Sequence, residues 1–164
     1  MKMAWPILII AFGAALDLAA KLWARASLEP YGAATEFLPF VALRLTFNHG
    51  VSFSLLSFEG EIARLTLLLA TAALTASFAL WAFRSQGLER IAASSIVAGA
   101  LANVIDRAVY GTVTDYLDLH FVAWPPFVFN LADVWITAGA ILLVFCQFSR
   151  KQSNVAVRNS SKTT

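Results

Sequence analysis

The chain has 164 residues, of which 59% are apolar and 13% charged, with a mean hydropathy of +0.71 and a net charge of +2. A soluble domain carries about 45–50% apolar and about 25% charged residues, so an ordinary soluble fold is excluded and lipid must face the surplus. The small positive balance argues against a nucleic-acid partner, and the lone Cys146 cannot form an internal disulfide and reads as apolar filler.

Four apolar runs are long enough to cross a bilayer as helices, which takes about 20 residues each. The first covers residues 4–24 and is uncharged as far as Leu16. Its positive start at Lys2 and its Ala14-Ala15 pair also fit a cleaved leader. Apolar character resumes through Leu18, Leu22 and Trp23, so we read a spanning helix instead. Asp17 and Lys21 stand four apart on one helical face, as a local ion pair or as neighbours of a site.

Residues 25–61 are too polar for lipid and are broken by Pro30, Gly32, Pro39, Gly50 and Gly60. Within them Val41, Leu43, Leu45 and Phe47 alternate with Ala42, Arg44 and Thr46, which predicts a strand with one buried face. Asn48-His49-Gly50 is a turn signal, and residues 51–56 form a second short apolar stretch. A small sheet on the membrane surface fits.

The second span is predicted over 62–83, with Arg64 snorkelling near its start. A short loop at 84–90 contains Gly87. The third span, 91–107, carries Ser94, Ser95, Gly99, Ala100 and Ala102, small residues that let helices approach closely in lipid. Residues 108–129 are mixed, with a break at Pro125-Pro126 and an interfacial aromatic belt of Trp124, Phe127 and Phe129. The fourth span covers 130–149. Residues 1–150 read as one membrane domain and the polar residues 151–164 as a disordered tail.

Four spans put both termini on one side. Lys2, Arg84, Arg90, Arg150, Lys151, Arg158 and Lys162 lie on that side against one acid, Glu89. The positive-inside rule then makes both termini cytoplasmic and turns loops 25–61 and 108–129 outward.

The stretch from Asn103 to Asp133 holds four of the ten acids: Asp106, Asp115, Asp118 and Asp133. Carboxylates at a bilayer edge are unfavourable unless used. Asn103-x-x-Asp106 and Asn130-x-x-Asp133 each put an amide and a carboxyl on one helical face, at the outer ends of spans three and four. Asp115 lies on the apolar side of an alternating segment with Val113, Leu117 and Leu119. Asp118 falls on the other side with Thr114 and Tyr116 and reads as a solvated loop acid. Asp106 beside Arg107 reads first as a structural ion pair. Asp115 and Asp133 have no adjacent base. If these two converge, one carboxyl is pushed up and the pair holds a single proton, the arrangement aspartic proteases use. His49 and His120 lack metal-ligand spacing, and no serine elbow, P-loop or HExxH is present.

Five blocks now stand in order among four spans: Asp17-x-x-x-Lys21, Asn48-x-Gly50-x-x-Phe53-Ser54, Asn103-x-x-Asp106-Arg107, Val113-Thr114-Asp115-Tyr116 and Phe129-Asn130-x-Ala132-Asp133. In these blocks the chain resembles the bacterial lipoprotein signal peptidases, also called signal peptidase II. The resemblance implies an α-helical membrane protein with four transmembrane helices, a small outward-facing β-sheet and a short surface element over the cleft. It implies an aspartic endopeptidase of the cytoplasmic (inner) membrane, active at its outer face. The substrate would be a diacylglyceryl-modified prolipoprotein, cut N-terminal to the lipidated cysteine. Asp115 and Asp133 match the catalytic pair. Asn48, Gly50, Asn103, Asp106, Arg107 and Asn130 match residues lining or bracing the site, with Asp17 and Lys21 close by. No metal or cofactor is implied, membrane lipid is a partner, and a monomer is expected. Leu18, Ser52 and Ala102 depart from the usual Gln, Ala and Gly, beside the blocks rather than at the pair. The rival reading is a small transporter or proton-conducting protein using the same carboxylates. A third, a structural subunit, would use the acids only to brace loops.

Overall fold

The structure, a computed structural model, describes residues 4–50, 60–121 and 124–160; side chains are described for 4–50, 60–120 and 127–149. The stretch 51–56, with Phe53 and Ser54, therefore lies outside the described residues, as does the side chain of Trp124.

Four helices dominate: α1 Ala4–Ser27, α2 Glu61–Arg84, α3 Gly87–Tyr110 and α4 Leu131–Ser160. Each carries a stretch apolar and long enough to cross a membrane, so the chain is a multi-pass membrane protein. Their outer faces confirm the solvent. Trp5, Phe12, Leu69, Leu80, Ile141 and Phe145 are large, apolar and exposed, which only lipid accommodates.

α3 is the hub and packs on α1, α2 and α4. Its buried positions are mostly small: Ala92, Ala93, Ser94, Ala98, Gly99 and Ala102. Between apolar helices in lipid, close backbone approach supplies the attraction that water would otherwise provide. Gly99 shows how close. A Cβ there would collide with the backbone carbonyl of Ala132 at the start of α4. Gly139 repeats the arrangement one level away, where a Cβ would lie 2.6 Å from the carbonyl oxygen of Ala92.

The helices differ from expectation at their ends. The loop expected at 84–90 shrinks to Ser85 and Gln86, because Gly87 takes φ +57 and turns the chain directly into α3. Gly111, left-handed at φ +78, ends α3 at Tyr110. α4 continues to Ser160, whereas a disordered tail is predicted from residue 151. Polar composition marks a solvated segment but does not forbid a helix, and no Pro or Gly stops this one.

Four antiparallel strands form one sheet in the order β1 Thr35–Leu38, β2 Val41–Asn48, β3 Val113–Phe121 and β4 Trp124–Phe129. They sit at the bundle end where α1 and α3 finish and α2 and α4 begin. The predicted strand at 41–47 is present, but its buried residues are Ala42 and Leu45, not one alternating apolar set. A register shift between Leu43 and Thr46 explains this, since a bulge adds one residue and swaps the faces. β4 runs straight through Pro125-Pro126, which the sequence presents as a break. It is an edge strand, and its register with β3 shifts between Phe127 and Trp124, so the prolines fall where the ladder is already interrupted.

Candidate active site

The start of α4 holds the site together. Asn130 stands just before the helix and exchanges two hydrogen bonds with Asp133. The Asp133 amide donates to Asn130 Oδ1 at 3.0 Å, and the Asn130 amide donates to Asp133 Oδ2 at 3.2 Å. This is the reciprocal logic of a capping box. The side-chain amide of Asn130 is left over, and its Nδ2 donates to Asp115 Oδ1 at 2.6 Å. One residue thus bridges two carboxyls that lie eighteen positions apart in the chain.

Asp115 arrives on β3, opposite Thr46 of β2. Asn48, two residues along the same face, also reaches its carboxyl by a hydrogen bond. The Asn48 turn closes when the Gly50 amide donates to Asn48 Oδ1 at 2.7 Å, with Gly50 at φ +77. That turn lies over Arg107, whose Nη2 is 3.4 Å from where a Gly50 Cβ would sit. Asp115 is 4% exposed. Burial first, and then the charge of Asp133, push its carboxyl up to about 6, against the opposing pull of Asn130, Asn48 and Lys21.

Asp133 is held from the other side. Asn103 Nδ2 of α3 donates to its Oδ1 at 3.2 Å, and Lys21 Nζ of α1 donates to Asn103 Oδ1 at 2.5 Å. Lys21 is 1% exposed and is also paired with Asp17 at 2.8 Å and Asp106 at 3.7 Å. Asp17 Oδ1 accepts the Ala132 amide at 2.7 Å, in the first turn of α4. Asp17 and Lys21 are therefore both a local ion pair and neighbours of the site.

Asp106 differs from expectation. It pairs with Lys21 and, at 3.7 Å, with Arg25 rather than with the adjacent Arg107, and its Oδ2 accepts the Thr114 amide at 2.6 Å. Successive helical residues point about 100° apart, so a neighbour in sequence is not a partner in space. Arg107 faces the charges of Asp106, Asp115 and Asp133, and its buried Nε meets no acceptor among the described residues. Asp118, expected in solvent, is buried and pairs with Arg44 at 3.4 Å. Both faces of β3 are covered at this end, since Val113 and Asp115 on one alternating set and Thr114, Tyr116 and Asp118 on the other are all buried.

Asp133 remains half-buried and borders a groove of about 420 Å³. Leu119, Phe127 and Phe129 of the sheet line one wall, and Val134, Ala138 and Ile141 of α4 the other. Phe127 and Phe129 stack with centroids 5.9 Å apart. The arrangement offers two carboxyls in a polar recess at the end of an apolar groove. Among the described residues no cluster of His, Cys, Asp and Glu could hold a metal ion.

Residues 9–149 match the family model for signal peptidase (SPase) II. The chain belongs to the signal peptidase II family. Lipoprotein signal peptidases from Burkholderia thailandensis and Mesorhizobium japonicum are each 41% identical to it, over 73% and 71% of this chain and 74% and 69% of theirs. That of Paraburkholderia phymatum is 42% identical over 122 residues. Two solved structures of a bacterial membrane enzyme share the fold, with TM-scores of 0.78 and 0.77 at 24% and 25% identity. They cover 92% and 88% of this chain and 92% and 93% of their own. Family membership makes the chain a peptidase and leaves the transporter reading without support.

Two residues beside these carboxyls were given no role of their own in the sequence. Arg25 donates to Thr114 Oγ1 at 2.8 Å and lies over the rings of Phe47 and Tyr110. Its signal was the spacing of four, Asp17, Lys21, Arg25, on one face of α1. Tyr116, which stood in the Val113-Thr114-Asp115-Tyr116 block without a role of its own, accepts the Leu131 amide on its Oη at 3.3 Å.

Proposed function

We propose that this chain removes signal peptides from diacylglyceryl-modified prolipoproteins, with Asp115 and Asp133 as an aspartic catalytic pair. The observation that carries the reading is the Asn130 bridge, which brings a carboxyl raised to about 6 beside a second one. Asp115 holds the shared proton and polarises the scissile carbonyl. Its partner carboxylate takes a proton from the attacking water. The tetrahedral diol then collapses as the amide nitrogen is protonated and the C–N bond breaks. The products are a free signal peptide and a chain beginning at its lipidated cysteine.

Depth supports the same reading. The carboxyls lie where helices meet the sheet, so water reaches the peptide bond while the substrate's lipid chains stay in the bilayer. The apolar groove beside Asp133 gives the substrate's hydrophobic part a surface to follow. Arg107, Asn48 and Asn103 orient the pair and the backbone of the substrate. The excess of basic residues on the side of both termini supports cytoplasmic ends and a site at the outer face of the cytoplasmic membrane. A monomer is proposed, since Asp115, Asp133 and the hydrogen-bond partners described for them meet within a single chain.

The test is incubation of purified enzyme with a synthetic diacylated lipobox peptide, followed by mass spectrometry. A product starting at the lipidated cysteine is expected. Intact substrate, or a cut elsewhere, would overturn the assignment.

A further inference from the structure

A helix begins with amide groups that have no partner inside it. At α4 three consecutive ones are taken by three different parts of the molecule. Leu131 donates to Tyr116 Oη at 3.3 Å, Ala132 to Asp17 Oδ1 at 2.7 Å and Asp133 to Asn130 Oδ1 at 3.0 Å. Asn130 is the helix's own cap, and Asp17 ties the turn to α1. Tyr116 alone belongs to the strand that carries Asp115, and it is the next residue along.

We propose that Tyr116 is a positioning residue for the carboxyl pair, its Oη fixing the first turn of α4, and so Asp133, against the strand that holds Asp115. This rests on the reading of Asp115 and Asp133 as the catalytic pair. The ring cannot drift, because it is buried against Ala24 and Leu45 with Leu131 packed on it. Burial, and then the charge of Asp17, push the phenol up to about 12, so it stays protonated at any working pH. Its oxygen therefore accepts from Leu131 without adding a charge to a recess that already holds acids. Without this bond α4 remains tied to α1 through Asp17, but one of its two side-chain ties to β3 is lost. The Asn130 bridge is then the remaining side-chain tie between the first turn of α4 and Asp115.

The test compares full-length wild-type enzyme with Tyr116→Phe, which keeps the ring and removes the oxygen. Turnover of a diacylated peptide is expected to fall about ten- to hundredfold in kcat, with KM unchanged. The alkaline limb of the kcat profile is expected to move to lower pH. Carbon-13 NMR of the Asp115 carboxyl should show a lower titration midpoint, as Asp133 moves away. Asp133, Lys21 and Arg107, the charges facing Asp115, persist in the variant, so the change reports spacing. Leu131→Pro is the second variant. It removes the donor instead of the acceptor, at the first helical position where proline is tolerated, and should reproduce the lower midpoint. Wild-type kcat with an unshifted midpoint would overturn the proposal. So would a loss of activity explained wholly by less folded enzyme, with profile and midpoint unmoved. If the wild-type enzyme cut no lipopeptide, the peptidase reading would fail separately, and the NMR midpoints would still decide the role of Tyr116.

Discussion

Asn130 Nδ2 lies 2.6 Å from Asp115 Oδ1, and the same residue closes the first turn of α4 on Asp133. A helix cap and a carboxyl bridge are thus one side chain. Asn130→Ala should lose both. Loss of a cap destabilises by about 1 kcal/mol, and loosening the pair should lower kcat about a hundredfold. Asn130→Asp keeps the capping oxygen but removes the donor and adds a third acid. Its thermal stability should exceed that of the Ala variant while its activity does not. Thermal melts and lipopeptide turnover on the three proteins check both statements.

Asp115 makes a prediction whose sign is unusual. Its carboxyl is raised from the ordinary 3.8 to about 6, chiefly by burial. The folded state therefore binds the proton more tightly than the unfolded chain. That advantage is complete below about pH 4 and is lost as pH rises towards 6. Above it the buried charge opposes folding by up to about 3 kcal/mol. Asp115→Asn removes the charge and still accepts from Asn130. At pH 7–8 it should melt at or above the wild-type temperature, and the difference should vanish near pH 4. A large loss of stability at pH 7 would instead support the third reading, in which the acid only braces its loop.

The pH dependence of cleavage follows from the same group. If Asp115 must hold the proton, kcat/KM should fall on the alkaline side of an apparent pKa near 6. A rate profile on a diacylated peptide between pH 4 and 9 is the measurement. A rate that climbs steadily through this range would contradict the assignment of the proton to Asp115.

Lys21 sits between Asp17 and Asp106 with almost no exposure. Lys21→Met would leave the buried Asp17 carboxylate without a cation and Asp106 with Arg25 alone, and should destabilise by about 3–5 kcal/mol. Pairing it with Asp17→Asn should return part of that loss, because one stranded charge is gone. Equal melting temperatures for the single and double variants would show that Asp17 is not coupled to Lys21.

Gly99 carries the contact between α3 and α4. Gly99→Leu forces the Ala132 backbone away and should destabilise by about 1–3 kcal/mol. It should also lower kcat, because Asp133 is displaced with Ala132. A Leu variant with normal melting and normal turnover would show that the helices do not need this approach.

The spans were legible because hydropathy over about 20 residues averages out local detail. Asp115 was legible as a charge on the apolar side of an alternating strand. Asp118 was misread by the same rule, because both faces of β3 are covered and alternation reports only one. The bulge near Arg44 moved the buried face of β2, and a one-residue shift leaves no mark in composition. β4 was hidden by Pro125-Pro126, which forbid a central strand but not an edge. Arg107 and Asp106 looked like partners because they are adjacent, whereas the pairing runs to α1. Tyr116 stood in one of the resembling blocks, but its role was illegible because it is a hydrogen bond to a backbone amide fifteen residues away.

The central claim is that two carboxyls, not one, perform the cleavage. The most direct measurement is turnover of a diacylated lipopeptide by purified wild-type enzyme, Asp115→Asn and Asp133→Asn, each first shown to be folded. Cleavage by the wild type and its loss in both folded variants is the expected result. Near-normal turnover by either folded variant would contradict the aspartic mechanism.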